Sequence, residues 1–229
     1  MLKKDLILRN PAVQILGKDS LFQGRFGAVL SRAGVGKTRF LVQIALVKLL
    51  EDEQVLHVSL SDQMEKINVR YNEGFSDLVD SIGYVDPAKA SEAWDDISHN
   101  KVAISYNEST FDSSKIRDYL NSFTGTDLEI PKALVVDGLN FDTDITNTLT
   151  ELEEIAQEFN LFIWFSMQIH REEAFCDDGF PIQLENHKDR FDKAILLLPV
   201  ENKIQATILK DGDKTSQEFL LDPSSVMPV

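Results

Sequence analysis

The sequence has a single cysteine, no long apolar run and far fewer basic than acidic residues. Cys176 alone forms no intramolecular disulfide and supplies no zinc-binding cluster, which fits a reducing cytoplasm. No stretch approaches the roughly 18 consecutive apolar residues of a transmembrane helix. The first residues also carry too short an apolar run for a signal peptide. We therefore expect a cytoplasmic protein without a membrane-spanning segment.

The shortage of basic residues gives a formal net charge of −15, from 23 Lys and Arg against 38 Asp and Glu. A surface this acidic repels the phosphates of DNA and RNA. A local basic groove would still be compatible with the total. The charge therefore disfavours nucleic acid as a partner without closing that alternative.

The length and the alternation of apolar patterns predict one α/β domain. At 229 residues, 43% of them hydrophobic, the chain can bury a substantial core, and it has no repeat, low-complexity tract or linker. Strand-like and helix-like segments alternate, and three strand-like segments close the chain. We predict that residues 1–229 form a single domain. Its central sheet is expected to be mainly parallel, with helices on both faces and antiparallel strands at the C-terminal end.

Apolar periodicity predicts where the elements lie. The helix of residues 62–80 is predicted to use Ile67, Val69 and Phe75 as its apolar positions. Residues 171–191 show no clear period and are predicted to form an exposed loop. The other predicted helices cover residues 88–97, 113–123 and 144–159, and one more follows residue 38. The predicted strands are residues 26–30, 55–60, 102–106, 133–136, 161–165, 194–198, 204–209 and 218–221.

The stretch SRAGVGKT at residues 31–38 ends as a phosphate-binding P-loop does. Gly34 and Gly36 let the backbone approach a polyphosphate with its N–H groups pointing inward. Lys37 would reach the β- and γ-phosphates, and Thr38 would offer its hydroxyl to Mg²⁺. A strand-like run precedes the stretch and a helical pattern follows it, so the helix start adds partial positive charge. The expected nucleotide-binding residues are Ser31, Arg32, Ala33, Gly34, Val35, Gly36, Lys37, Thr38 and Arg39.

Ser31 departs from the P-loop pattern, which has glycine at that position. The alternative interpretation of the stretch is a glycine-containing turn before an amphipathic helix. The flanking strand and helix patterns favour nucleotide binding over that alternative.

Asp137 follows four apolar residues at the end of a predicted strand. A carboxylate at this place can hold Mg²⁺, usually through a water, opposite Thr38. The same pattern also occurs where an aspartate caps a helix or turn. Because it accompanies a P-loop, we favour the Mg²⁺ role, with Thr38 and Asp137 as the metal-binding pair.

With these motifs in place, the chain resembles the RecA-like P-loop ATPases, in the branch that holds KaiC and the DnaB-type replicative helicases. The similarity covers nearly the whole chain, although only the P-loop is specific by itself. It rests on the order of several segments: residues 16–24 before the P-loop, the P-loop itself, VSLSD at 58–62, LVVDG at 134–138, WFSMQ at 164–168, and the closing hairpins from residue 192. The resemblance implies a RecA-like fold and binding of ATP with Mg²⁺.

The resemblance also implies further site residues, and here the chain departs from the family. Family members carry a catalytic glutamate where this chain has Ser61, so the neighbouring Asp62 is the remaining candidate for the base. Gln168 corresponds to the residue that senses the γ-phosphate. Lys210 corresponds to a cation that serves the neighbouring subunit's ATP, but Gly212 replaces the arginine that usually accompanies it. The plainer alternatives are a helix cap for Asp62, a lone polar strand end for Gln168 and a solvated hairpin charge for Lys210.

Three functions compete at this point. The first is a Mg·ATP-binding protein with weak ATPase activity that acts as a nucleotide-dependent switch or assembly factor. The second is a non-catalytic interaction module that has kept a degenerate P-loop. The third is a DNA motor or recombination factor, which the acidic charge and the nearly balanced loop 170–191 disfavour. That loop suits a protein partner better, and the family resemblance makes a homo-oligomer one expected arrangement.

Overall fold

The computed structural model describes residues 2–126, 129–170, 174–177, 179–212 and 217–229. Its strands are β1 Phe26–Ser31, β2 Val55–Ser59, β3 Lys101–Ser105, β4 Ala133–Asp137, β5 Phe162–Gln168, β6 Lys193–Val200, β7 Lys203–Asp211 and β8 Glu218–Leu221. Its helices are α1 Leu2–Arg9, α2 Pro11–Leu16, α3 Lys37–Leu50, α4 Met64–Ser81, α5 Pro87–Ser98, α6 Ser114–Asn121 and α7 Thr146–Phe159. Short 3-10 turns occur at Glu108–Thr110, Ile182–Leu184 and Lys188–Arg190.

The described strands form one eight-stranded sheet in the order β3-β2-β4-β5-β1-β6-β7-β8. The first six strands of this order are parallel to their neighbours, and β7 and β8 are antiparallel. Parallel strands need crossover connections, and the described helices supply them. The predicted sheet, mainly parallel with antiparallel strands at its C-terminal end, is confirmed.

Helices cover both faces of the sheet, as predicted. The helices α1 to α5 pack on one face, where their apolar side chains meet β-strand residues such as Val135 and Trp164. The helices α6 and α7 pack on the other face, against residues such as Val136 and Phe165. Alternate residues of β4 and β5 thus enter different cores, because successive side chains of a strand point to opposite faces.

The central helix α3 lies inside the first of these layers, with most of its residues buried. Its neighbour α4 approaches closely at Gly74, where an added Cβ would lie 3.0 Å from the side chain of Val42. The side chain of Gln43 donates to the backbone carbonyl of Gly74 at 3.0 Å. This contact fixes how α4 sits beside the first turns of α3.

Two helices at the N-terminus were not predicted. Asn10 caps α2 by accepting a hydrogen bond from the N–H of Ala12, and Pro11 occupies the first helical turn. Asn before Pro is a recognised helix start signal, because the asparagine oxygen accepts an otherwise unpaired N–H and proline needs no donor partner. The sequence therefore carried the information for α2.

Two details of the predicted pattern were wrong. Val69 is 53% exposed, whereas Tyr71 and Leu78, which the pattern omitted, are fully buried on α4. The loop of residues 170–191 is also not exposed throughout, since Phe180, Leu184 and Phe191 are buried under the second core. Residues 171–173 and 178 of that loop lie outside the described residues.

The buried face of α4 leads to a stability prediction. Leu78→Ala should lower the free energy of unfolding by about 2–5 kcal/mol, because it leaves a cavity in the core. Val69→Ala on the exposed side of the same helix should change it by less than about 0.5 kcal/mol. Urea unfolding followed by circular dichroism measures both variants against the wild type. Equal losses in the two variants would contradict this assignment of the buried face.

Candidate functional site

The loop between β1 and α3 is shaped by glycines in the left-handed region of backbone space. Gly34 has φ = 78° and Gly36 has φ = 115°, conformations that L side chains rarely adopt. Gly36 caps α3 with no side-chain hydrogen bond, so the first N–H groups of the helix stay open toward the loop. Unpaired N–H groups at a helix start form a site for an anion.

Lys37 folds back over this loop. Its Nζ donates to the carbonyl oxygens of Ser31 and Arg32, each at 3.1 Å. The hydroxyl of Ser31 lies 3.4 Å from the same amine and donates to the carbonyl of Arg32 at 2.8 Å. Burial lowers the pKa of Lys37 below its ordinary value, and the nearby charge of Asp137 opposes that shift. The amine is thus held over the loop by weak carbonyl acceptors.

Thr38 and Asp137 meet across the sheet. The Thr38 hydroxyl donates to Oδ2 of Asp137 at 2.8 Å, and Asp137 is buried at the end of β4. A hydroxyl and a carboxylate side by side are hard oxygen ligands of the kind that Mg²⁺ prefers. The residues present therefore fit the metal that the sequence predicted for them.

A cleft of about 480 Å³ opens above the carboxyl ends of these strands. Ligands in open α/β sheets bind at this edge. Of the predicted site residues, the lining includes Ala33, Gly34, Lys37, Thr38, Asp62, Asp137 and Gln168. The remaining lining residues are Leu60, Ser61, Arg70, Gly138, Leu139, Asn140, Phe141, Asp142 and Ser166.

Asp62 sits in this cleft with both carboxylate oxygens engaged. Lys66 donates to Oδ1 at 2.7 Å, and Arg70 donates to Oδ2 at 2.9 and 3.1 Å. Burial alone would raise the pKa of the Asp62 carboxyl, but the hydrogen bonds from Lys66 and Arg70 outweigh it and lower the pKa. A carboxylate in this state is a weak base. The plainer interpretation of Arg70 as an ion-pair residue therefore holds in the structure.

Two other predicted residues lie away from the cleft. Arg39 turns toward α4, where its guanidinium reaches Glu73 at 2.9 Å and Asp77 at 3.7 Å. Lys210 pairs with Ala194 and lies level with Ala28 near the start of β1, at the sheet edge opposite the P-loop. Its Nζ donates to the carbonyl of Lys188 at 3.0 Å. Lys210 therefore cannot contact a ligand in the cleft of its own chain.

Sequence reasoning missed residues that shape the cleft from neighbouring strands. The hydroxyl of Ser166 accepts the N–H of Gly138 at 2.8 Å, and the hydroxyl of Ser59 accepts the N–H of Asp62 at 2.9 Å. Gly138 has φ = 92°, and a Cβ there would lie 3.0 Å from the Cβ of Ser61. A signal for the two serines existed, since each is a polar residue near the end of an apolar strand.

Asp142 connects the cleft to the loop of residues 170–191. Its Oδ2 lies 2.8 Å from Nε2 of His170, and its Oδ1 accepts the side-chain amide of Gln183 at 2.6 Å. Asp142 also lines the cleft. No pattern in the sequence indicated this contact, because it joins residues that are far apart along the chain.

Behind the cleft, His57 of β2 is fully buried. Its Nδ1 shares a hydrogen bond of 3.0 Å with the hydroxyl of Tyr71. Burial lowers the pKa of His57 to about 4, an effect that Asp137 opposes and that Lys101 and Arg70 add to. The imidazole is therefore neutral at neutral pH.

Comparison with known proteins gives a match in structure alone. No protein-family model matches the chain, and no curated protein matches it. Among solved structures, the chain is similar to the ATPase domain of a DnaB-like helicase, with a TM-score of 0.59 and 16% sequence identity. The match covers 90% of this chain and 84% of that chain. At this identity the likeness shows the fold, and it confirms the predicted RecA-like P-loop architecture.

None of the helices in the described ranges has both the length and the apolar composition that crossing a membrane requires.

The buried histidine predicts a pH dependence of stability. Between the ordinary pKa near 6.5 and the folded value of about 4, the unfolded chain binds a proton that the folded chain excludes. His57 therefore contributes stability above pH ~6.5 that is lost as the pH falls, with a slope of up to about 1.4 kcal/mol per pH unit. Urea unfolding across this range measures the slope.

His57→Gln should flatten the slope, whereas the control His99→Gln, at a histidine that is not buried, should leave it unchanged. An unaltered slope in the His57 variant would show that other groups cause the pH dependence.

Proposed function

We propose that this chain is a Mg·ATP-binding protein of the RecA-like kind, with weak ATPase activity that serves a nucleotide-dependent switch or an assembly step. The observation that carries the proposal is the meeting of Thr38 and Asp137 at 2.8 Å beside Lys37. These side chains come from separate parts of the sequence and converge on one cleft next to an open helix N-terminus. We further propose membership of the KaiC and DnaB-type branch and a cytoplasmic location, on the sequence grounds given above.

Each residue of the P-loop has a defined task in this proposal. The N–H groups around Gly34 and Gly36 bind phosphate oxygens, and the amine of Lys37 moves from the carbonyls of Ser31 and Arg32 to a phosphate. Thr38 and Asp137 hold Mg²⁺ with oxygen ligands. When bound, Mg·ATP supplies a phosphoanhydride bond whose hydrolysis changes the state of the switch.

Slow turnover follows from the state of Asp62. The base of an efficient ATPase must accept a proton from water, and both oxygens of Asp62 are held by cations instead. Ser61 at the adjacent position has no carboxylate. The proposed ATPase is therefore weak, with Asp62 as its base only when the ion pairs open.

The output of the switch is proposed to leave through the loop of residues 170–191. Gln168 lines the cleft two residues before this loop begins, and Asp142 links the cleft to His170 and Gln183. A change at the cleft therefore has a direct route to the loop, where we propose that a protein partner binds. A homo-oligomer would place Lys210 of one copy near the cleft of another, since it lies at the opposite edge of the sheet.

Equilibrium titration with Mg·ATP tests the proposal. The wild type should bind saturably, and Lys37→Ala should weaken binding by about tenfold or more, because it removes a charge-assisted hydrogen bond to phosphate. The control Lys4→Ala, at an exposed lysine of α1, should bind as the wild type does. Isothermal titration calorimetry measures all three.

Failure of the wild type to bind would support the alternative function, a non-catalytic interaction module. The engagement of Asp62 by two cations favours that alternative, because it removes the remaining candidate base. Binding without measurable turnover would support a module in which the nucleotide is structural.

The charge of the chain predicts no role as a DNA motor. With a net charge of −15, the protein should show no binding to single-stranded DNA at ~0.1 M salt in fluorescence anisotropy, where phosphate contacts would give strong salt dependence. Tight, salt-sensitive binding would reverse this conclusion.

A further inference from the structure

Arg70 is a cation of the cleft with no role in the P-loop chemistry described so far. Among the described residues that line the cleft, the cations are Lys37 and Arg70. Lys37 belongs to the P-loop, whereas Arg70 comes from the second turn of α4. A cleft that binds a polyphosphate therefore has one cationic side chain left over.

The contact of Arg70 with Asp62 is of a kind that an anion can replace. Both Nε and Nη2 of Arg70 point to the same oxygen, Oδ2, at 3.1 and 2.9 Å. The arginine side chain is 27% exposed, so water reaches the pair. A partly exposed ion pair is worth little free energy, in general about 1 kcal/mol or less. The guanidinium can thus move to a stronger acceptor at small cost.

Asp62 is the fixed partner of this pair. Its N–H donates to the hydroxyl of Ser59 at 2.9 Å, and its carbonyl accepts the hydroxyl of Ser105, also at 2.9 Å. Lys66, which is 60% exposed, remains on the other carboxylate oxygen. When the pair opens, the residue that moves is therefore Arg70.

We infer that Arg70 distinguishes a nucleoside triphosphate from a diphosphate, by moving from Asp62 to the terminal phosphate that only the triphosphate places in the cleft. A terminal phosphate carries more negative charge than a carboxylate and offers several oxygens to the planar guanidinium. A diphosphate lacks that group and leaves Arg70 on Asp62. This inference rests on the proposed function, because it needs a nucleotide in the cleft.

The same movement changes the chemistry of Asp62. With Arg70 gone, Oδ2 of Asp62 is free to accept a hydrogen bond from water, and the pKa of its carboxyl rises toward its usual value because one of its stabilising hydrogen bonds is lost. The triphosphate therefore frees the candidate base only when it is itself present. This gives the switch its dependence on the nucleotide.

Dissociation constants for two nucleotides test the inference. The probes are ADP and the non-hydrolysable β,γ-imido analogue of ATP, each with Mg²⁺. Arg70→Ala should weaken binding of the analogue by about tenfold or more, the value of a charge-assisted hydrogen bond. Its affinity for ADP should stay unchanged. Arg70→Lys should keep part of the discrimination, since it keeps the charge without the planar fork.

Asp62→Asn provides the opposite sign. It removes the competing negative charge, so Arg70 reaches the phosphate more easily and the variant should bind the analogue more tightly than the wild type does. The matched control is Arg117→Ala, which breaks a surface pair with Glu154 and Glu158 on α7 and should change neither affinity. Lys66→Ala removes the other cation on Asp62 and should not reproduce the loss seen in Arg70→Ala.

Three results would overturn the inference while leaving nucleotide binding intact. The first is an equal loss of affinity for ADP and the analogue in Arg70→Ala. The second is weaker binding of the analogue to Asp62→Asn, which would show that the pair serves the structure. The third is a loss in Lys66→Ala as large as that in Arg70→Ala. Failure of the wild type to bind either nucleotide would instead overturn the proposed function and this inference with it.

Discussion

The cleft depends on the hydrogen bond between Thr38 and Asp137. Thr38 follows β1 and Asp137 ends β4, and these strands are not neighbours, because β5 lies between them in the sheet. The bond therefore exists only when β1, β5 and β4 are all parallel and in register. Most other features of the cleft, including the loop after β2 that carries Asp62, take their positions from the same strand ends.

The electrostatics of the cleft are those of a site whose cations already have partners. Lys37 rests on the carbonyls of its own loop, and Arg70 rests on Asp62. Both contacts can be replaced by a stronger acceptor, because carbonyls are neutral and the Asp62 pair is partly exposed to water. In a chain with a net charge of −15, such local pairing keeps cations in place at a site that would bind an anion. It also makes affinity depend on how well the ligand competes with those partners.

The second core connects the cleft to the chain that follows it. Asp142 touches both the cleft and the loop of residues 170–191, and that loop is anchored from below by Phe180, Leu184 and Phe191. The anchored part is a base from which the remaining residues of the loop can respond. With 16% identity to the similar ATPase domain, the shared feature is the scaffold, while the residues at this connection belong to this chain.

The sequence by itself determined the P-loop, the strand that ends in Asp137 and the mixed sheet, because each rests on residues close together in the chain. Gly34, Gly36, Lys37 and Thr38 act through local backbone geometry, and apolar runs predict buried strands wherever they occur. Only the tertiary structure decided which face of α4 is buried, since the contact of Gly74 with α3 places Leu78 inward and Val69 outward. It also decided that Arg70 and Lys66 occupy Asp62, that Asp142 meets Gln183, and that Lys210 lies at the far edge of the sheet. These contacts join elements whose relative positions follow from packing of the whole core, which no local pattern contains.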